Sequence, residues 1–373
     1  MAGVYIHIPF CRSKCFYCGF YSVASLQLKT AYLNALVKEI RMRKEYLQEE
    51  VVSTLYFGGG TPSCLNESEL ELILDNIHNV WNIDKQAEYS IEVNPEDASM
   101  EKLSAFRRLG FNRITIGVQS FHDSILKRIN RSHSASQAIT AIENAKMSGF
   151  DNIGVDLIIG LPGSSVAELE VDLKKVSVLN IDHVSVYILS LDSNSVFEKL
   201  SEKGKFRPLS DDFLAQQYLL VSDYLKSIDY EHYEISNFAK KFKYSRHNTS
   251  YWQQKPYIGL GVAAHSYDII SRQWNIAHLK KYIDSLNNRF LNFEKEILTD
   301  ADKWNEYLMT NFRTMWGIDP YYLKNEYPCW WNKLTEKIEN YKHLGLMVMS
   351  GERIRMTERG WLVSDGIFSE LFV

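Results

Sequence analysis

The chain has 373 residues, 45% hydrophobic and 24% charged, an ordinary globular composition and enough for a barrel-sized domain plus a smaller one. A net charge of −4 supplies no broad basic field, so nucleic acid is not an expected partner, and no apolar run is long enough to span a bilayer. Three clustered cysteines (Cys11, Cys15, Cys18) and two scattered ones (Cys64, Cys329) argue against a disulfide framework. They fit a reducing compartment and, with no leader-like segment ahead of Val4, the cytoplasm.

Val4-Tyr5-Ile6-His7-Ile8 alternates and stops at Pro9, which predicts a first strand delivering the chain into Cys11-x3-Cys15-x2-Cys18. A loop leaving a strand end can fold three thiolates around one point. Structural zinc takes four protein ligands, whereas an iron–sulfur cube held by three thiolates keeps one iron open for a small molecule. His7 would have to supply a fourth zinc ligand, and it lies upstream on the strand rather than at finger spacing.

Further along, Leu28 to Tyr46 has helical apolar spacing, and Thr54–Phe57 is a short strand ending in Gly58-Gly59-Gly60-Thr61-Pro62. Glu67 to Val80 reads as helix, Glu88–Val93 as strand, Met100 to Leu109 as helix and Asn112–Val118 as strand. A long helical region then runs through Met147. Asp151–Ile159 is a strand bounded by Gly160-Leu-Pro-Gly163, a helix reaches Leu179, and His183–Leu189 makes a sixth strand. Strands alternating with helices predict a parallel sheet with right-handed crossovers. Periodicity alone serves an open (β/α)6 partial barrel and a doubly wound sheet equally well.

In either architecture ligands gather at the carboxyl ends of the strands. There the sequence puts the Gly58–Pro62 loop, Glu92 ahead of Asn94-Pro95, Gln119-Ser120, Arg131 and, inside an apolar strand, Asp156. A Gly-rich loop also serves as a plain tight turn, and Arg131 reads equally as a solvated helix-end residue. Asp156 must pair inward or face a polar pocket, because an unpaired buried carboxylate is expensive.

Ser201 to Asp212 reads as a surface loop and Phe213 to Ile228 as a helix. His247-Asn248-Thr249-Ser250-Tyr251 then precedes Trp252. The histidine could ligate a metal and the aromatic pair could stack on a flat ligand. A histidine satisfied within a hydrogen-bonded turn has the same sequence. From about residue 295 the pattern changes to helices (Leu298–Met315, Leu334–His343), a hairpin over residues 346–356, and a helix capped by Thr357. This predicts a small α+β, winged-helix-like unit, read as a lid or packing domain. The predicted division is 1–195, 196–295 and 296–373.

These motifs together resemble one family. The cysteine triplet with Tyr17 before its last member, Tyr5-Ile-His-Ile-Pro-Phe10 and Gly19-Phe20-Tyr21-Ser22 are similar to the radical S-adenosylmethionine (SAM) superfamily, in its oxygen-independent coproporphyrinogen III oxidase branch with the haem-chaperone relatives. Leu55 to Ser63 and Val155 to Gly163 extend the likeness. The resemblance tips the fold to an open (β/α)6 partial TIM barrel. It implies a [4Fe-4S] cluster on Cys11, Cys15 and Cys18, and SAM at Tyr5, Gly59, Gly60, Thr61, Glu92, Gln119, Arg131 and Asp156. Such a cluster passes one electron to SAM, whose sulfonium bond breaks to methionine and a 5′-deoxyadenosyl radical.

The resemblance further implies a haem or porphyrin contact at His247 and Tyr251. Oxidases of this type carry a fourth cysteine where this chain has Phe20, and an extension ahead of the position of Tyr5. Both departures point to the haem-chaperone branch, with haem as cargo for respiratory haem proteins and any membrane contact peripheral. Oxidative decarboxylation of coproporphyrinogen III is the alternative.

Overall fold

The computed structural model describes residues 1–193 and 195–373. Six parallel strands form the centre of one sheet: β1 (Ala2–Ile8), β2 (Val52–Gly59), β3 (Ile83–Val93), β4 (Arg113–Gln119), β5 (Ile153–Ile159) and β6 (His183–Ile188). Further strands extend both edges. On the β6 side lie β7 (Tyr230–Glu234) and β8 (Asn237–Lys240). Beside β1 lie β9 (Tyr257–Leu260), β10 (His265–Tyr267), β11 (Ser271–Asn275) and β12 (Phe293–Ile297). The order β12-β11-β10-β9-β1-β2-β3-β4-β5-β6-β8-β7 leaves β1 and β6 unpaired with one another, so the barrel stays open.

Side-chain alternation explains the curvature. One face of the central strands is apolar and buried (Val4, Ile6 and Ile8 in β1; Leu55 and Phe57 in β2; Ile114, Ile116 and Val118 in β4) and packs in the main core shared with the surrounding helices. The other residues are polar or glycine: Gly3, Tyr5 and His7; Thr54, Tyr56 and Gly58; Glu88, Ser90 and Glu92; Arg113, Thr115 and Gly117; Gly154 and Asp156; His183, Ser185 and Tyr187. With a period of two these share the opposite, concave face. They meet one another there: Tyr56 donates to Glu92 at 2.8 Å, and a Cβ added to Gly154 would meet Arg113, Thr115 and His183.

The region expected to be helical through Met147 is two helices, Asp123–Arg128 and Ala135–Met147. Asn130 between them takes a left-handed conformation (φ 59°), which ends the first, and Ser134 forms a capping box with Gln137 that starts the second. The break frees Arg131 to turn inward. The start of the expected 201–212 loop is also helical, as the end of Val196–Glu202.

The C-terminal region has its own core, around Trp304, Leu308, Phe312, Ile338, Met356 and Trp361. Its helices Asp300–Phe312 and Pro328–His343 carry an antiparallel hairpin of β13 (Met347–Ser350) and β14 (Arg353–Met356). The Thr357 side chain accepts from Gly360 N–H at 3.1 Å, as expected of a cap.

Candidate functional site: a cysteine-walled cavity at the strand ends

The cysteine loop is tied down at several points. Cys11 N–H donates to Val23 O at 3.0 Å, Phe16 N–H to Ile129 O at 3.1 Å, and Asn130 Nδ2 to Lys14 O at 2.9 Å. Phe16 and Tyr17 pack on a small cluster of Ile125, Leu126, Ile129, Leu161 and Phe197. Hydrophobic contacts thus fix the loop between its second and third cysteines while the thiols face a cavity.

That cavity has a volume of about 340 Å³ and is lined by Cys11, Cys15 and Cys18, by Gly59, Gly60 and Thr61, and by Glu92, Gln119, Arg131 and Asp156. Seven of the eight residues assigned to SAM on resemblance therefore meet the thiols in one place. Tyr5 does not line the cavity. Its side chain points into the barrel below, with its hydroxyl 3.1 Å from His7 Nδ1 and its ring stacked on Tyr56. An alternating strand explains this, because Tyr5 stands one layer beneath His7 on the concave face.

Glycine is required where β2 ends. Gly59 has φ 110°, and a Cβ there would lie 2.6 Å from the His7 ring. A Cβ on Gly60 would lie 2.9 Å from the backbone of Ile8, Pro9 and Phe10, and Gly60 N–H donates to Ile8 O at 2.8 Å. The Gly-rich loop and the entry to the cysteine loop are thus in direct backbone contact. Thr61 Oγ1 lies 3.4 Å from Cys11 Sγ. At the end of β4 the ladder bulges between Gly117 and Gln119, and Gln119 has φ 69°, a left-handed outlier for a non-glycine residue. Such outliers cluster at binding sites.

Arg131 is not a solvated helix-end residue. One nitrogen of its guanidinium donates to Asn94 Oδ1 at 3.0 Å and Gly117 O at 2.6 Å, and the other lies 3.6 Å from Cys15 Sγ. A planar cation thus sits beside the Cys15 sulfur. Burial, with a further push from the neighbouring thiols, raises the Cys11 and Cys18 thiols. Glu92 accepts from Tyr56 OH and, at 3.2 Å, from Gly59 N–H. Removal from bulk water raises its pKa to about 7, with Asp156 adding to the rise and the two hydrogen bonds opposing it. Burial likewise raises Asp156 to about 6, against the pull of Ser185, Arg113 and Arg131.

The donor set fits an iron–sulfur cluster with a small zwitterionic ligand: three thiols, a cation, two carboxyls and a glycine cradle share one wall. Arg131 Nε and Glu96 Oε2, on two residues lining the cavity, are buried without a hydrogen-bond partner. Among the described residues no group of three or more His, Cys, Asp or Glu could hold a single metal ion. A cube makes no such demand, since it takes each thiolate on a different iron.

Sequence reasoning missed Asn94, which orients Arg131 and donates to Thr61 Oγ1 at 3.3 Å, and it missed Ser190 and Asp192 on the cavity wall. Both groups directly follow strands, the position that flagged Glu92 and Gln119.

His247 and Tyr251 lie elsewhere. The helix Arg246–Trp252 packs against β1 and β2, and its first two N–H groups, of Arg246 and His247, donate to Glu88 at 3.0 Å. His247 is fully buried, with Nδ1 2.8 Å from Thr54 Oγ1 and Nε2 2.7 Å from Tyr251 OH. Both ring nitrogens are engaged in this conformation. Burial depresses its pKa to about 3, which keeps the ring neutral. Glu88 and Thr54 each stand four residues before a cavity-lining or adjoining position (Glu92, Gly58), about 13 Å by strand rise. His247 therefore belongs to the opposite layer of the barrel from the thiols.

Comparison with known proteins fits this arrangement. Residues 5–176 match the radical SAM superfamily, and residues 298–363 match the HemN C-terminal domain. The heme chaperone HemW of Lactococcus lactis is 32% identical over 373 residues, covering 100% of this chain and 97% of that protein. The chain belongs to this haem-chaperone family of radical SAM proteins. HemW of Bacillus subtilis, also 32% identical, covers 99% of this chain and 98% of its own length. The chain also shares its fold with a solved enzyme, coproporphyrinogen III oxidase (HemN) from Escherichia coli. That structure superimposes with a TM-score of 0.85 at 23% identity, over 100% of this chain and 90% of the enzyme, a likeness of fold alone. Among the described residues no helix is long and apolar enough to cross a membrane.

Proposed function

We propose that this chain is a haem chaperone that carries a [4Fe-4S] cluster on Cys11, Cys15 and Cys18, binds SAM beside it, and passes haem to haem-requiring respiratory proteins. The observation that carries this reading is the end-to-end 32% identity with proteins named haem chaperones, at matching length. Phe20 supports it, standing exposed at the cavity mouth where the oxidases of this type carry a cysteine. The bound cluster and SAM supply one-electron chemistry at the sulfonium.

The chain's own residues hold and shield. Gly59 and Gly60 allow close backbone approach, and Arg131 sets its guanidinium beside Cys15. Glu92 and Asp156 accept hydrogen bonds from ammonium or hydroxyl groups, and Gln119 and Thr61 complete the wall. For haem, the cavity mouth presents Phe20, Tyr187 and Ile188, 70%, 43% and 40% exposed, with Lys14 nearby. An apolar rim of this kind suits a flat macrocycle, and the lysine suits its propionates. Recipients at a membrane would be reached by peripheral contact.

The test is anaerobic. Reconstituted protein is titrated with haem and with SAM, then mixed with an apo-cytochrome, and haem transfer is read from the recipient's Soret band. Stoichiometric haem binding and transfer, with no consumption of coproporphyrinogen III when SAM and reductant are added, is the expected result. Repeated decarboxylation of coproporphyrinogen, or no haem binding by cluster-loaded protein, would overturn the reading.

A further inference from the structure

The concave face of the barrel is layered. Gly3 of β1 pairs with Thr54 of β2, which pairs with Glu88 of β3; one layer up stand Tyr5, Tyr56 and Ser90. Above these come His7, Gly58 and then Glu92 at the cavity. His247 is fixed on the lowest layer by Thr54 Oγ1 and Tyr251 OH. Its ring stacks on Tyr56, with centroids 5.1 Å apart and planes at 21°. Tyr5 stacks on both, at 6.1 Å from Tyr56 and 6.4 Å from His247. The Tyr56 hydroxyl reaches upward to donate to Glu92 at 2.8 Å, the same carboxyl that receives Gly59 N–H.

From this continuous stack we infer that His247 and Tyr251 are positioning residues for the SAM end of the barrel: they hold the Tyr56 ring so that its hydroxyl fixes Glu92. The inference rests on the reading of the cavity as a SAM site and adds a role for the His247-Asn248-x-x-Tyr251 element. Glu92 has no other side chain donating to it among the described residues. A ring that shifts by half an ångström lengthens the side-chain bond that, with the Gly59 N–H, orients the carboxyl, and hydrogen bonds weaken steeply with distance and angle. The bond also matters because burial and the charge of Asp156 on β5 oppose the ionisation of Glu92. The hydroxyls of Tyr5, Tyr56, Tyr187 and Tyr251 stay un-ionised beside it, and the Glu92 charge raises their own pKa values. The Tyr56 bond stabilises the carboxylate against that surrounding.

The experiment compares Tyr56→Phe, Tyr251→Phe and His247→Leu with wild type in three readouts: the Glu92 titration by carboxyl-carbon NMR, the affinity for SAM, and the Soret band with ferric haem. Tyr56→Phe should move the Glu92 midpoint upward and weaken SAM about tenfold at neutral pH, the size expected for one bond to a charged acceptor. His247→Leu should move both in the same direction, and Tyr251→Phe by less. Haem affinity and Soret maximum should stay as in wild type. A Soret shift in His247→Leu with Glu92 and SAM unchanged would overturn the inference, and so would a Glu92 midpoint unmoved in Tyr251→Phe and His247→Leu. Should wild type itself fail to bind SAM, the cofactor reading falls, while the Glu92 titration still decides the coupling. If His247→Leu does not fold, Tyr251→Phe, which keeps the ring and removes one hydroxyl, carries the test.

Discussion

Gly60 is where the cofactor cradle and the cysteine loop touch, and Gly60→Ala measures how much that contact matters. The new methyl would meet Ile8 O, Phe10 O and the Pro9 carbonyl carbon at 2.9 Å, against 3.4–4 Å for ordinary contact, so backbone must move by about half an ångström. All three atoms are main chain, and no flexible side chain can yield. Overpacking of this kind costs about 1–3 kcal/mol, and losing the Gly60-to-Ile8 hydrogen bond adds about 1 kcal/mol. A destabilisation of about 2–4 kcal/mol is therefore expected, with the strain at the turn that delivers Cys11. The assays are urea unfolding and iron and sulfide content after anaerobic reconstitution. Gly366→Ala is the control, since nothing lies within 4 Å of its added Cβ and the site is helical. The expected result is a lowered midpoint and reduced cluster content in Gly60→Ala, with Gly366→Ala neutral or slightly stabilised. Wild-type midpoint and full iron in Gly60→Ala would refute the reasoning, because the close approach would then not constrain the loop.

Other substitutions test other links. Arg131→Lys should keep most of the cluster and weaken SAM binding at least tenfold, since an ammonium cannot span Cys15, Asn94 and Gly117 as the planar fork does; equal SAM affinity would count against the assignment. Glu39 is buried and accepts from Gly261 N–H, Asn275 and Tyr282 at 2.6–2.7 Å while pairing with Arg43, so it joins the first helix to the β9–β11 extension. Glu39→Ala strands a buried guanidinium and should cost about 3–5 kcal/mol in a denaturant titration. The pH dependence has two opposed parts. His7, His133 and His232 are depressed to about 4 and His247 to about 3, chiefly by burial. The unfolded chain therefore takes up protons below about 6.5 that the folded chain refuses, and stability falls down to those values. Glu92 and Asp156, raised to about 7 and about 6, bind protons first in the folded state and offset part of that loss between their folded and ordinary values. Glu92→Gln with Asp156→Asn removes the offset, so its stability should fall more steeply from pH 7 to pH 4.5 than that of wild type; parallel curves would show that the carboxyls are not raised.

Much of the site was legible because strand alternation and strand-end position are local properties. Glu92, Gln119 and Asp156 stand out as polar residues in β-rich runs, and Gly59-Gly60-Thr61 follows a strand directly, so placing them at one mouth needed only the rule that ligands gather at carboxyl ends. The outer strands were less visible. Tyr257–Leu260 is four residues long, and its partner β1 lies some 250 positions away, so no period announces the pairing. The split before Met147 turned on Asn130 adopting a left-handed conformation, which helix propensity does not announce.

His247 shows the limit most clearly, because a metal ligand and a satisfied core histidine are written with the same residue. What separates them is Thr54, 193 residues away, and Glu88, 159 residues away, both on strands that periodicity could assign but not aim at this ring. Once those partners are known, the motif's spacing acquires a physical reason. One helical turn separates His247 from Tyr251, so a single short helix can offer an imidazole and the hydroxyl that saturates it. That pairing leaves the imidazole no nitrogen for iron and makes its flat face available to Tyr56. The layer that closes the bottom of the barrel is thereby linked, through one stacked ring and one hydroxyl, to the carboxyl at its top.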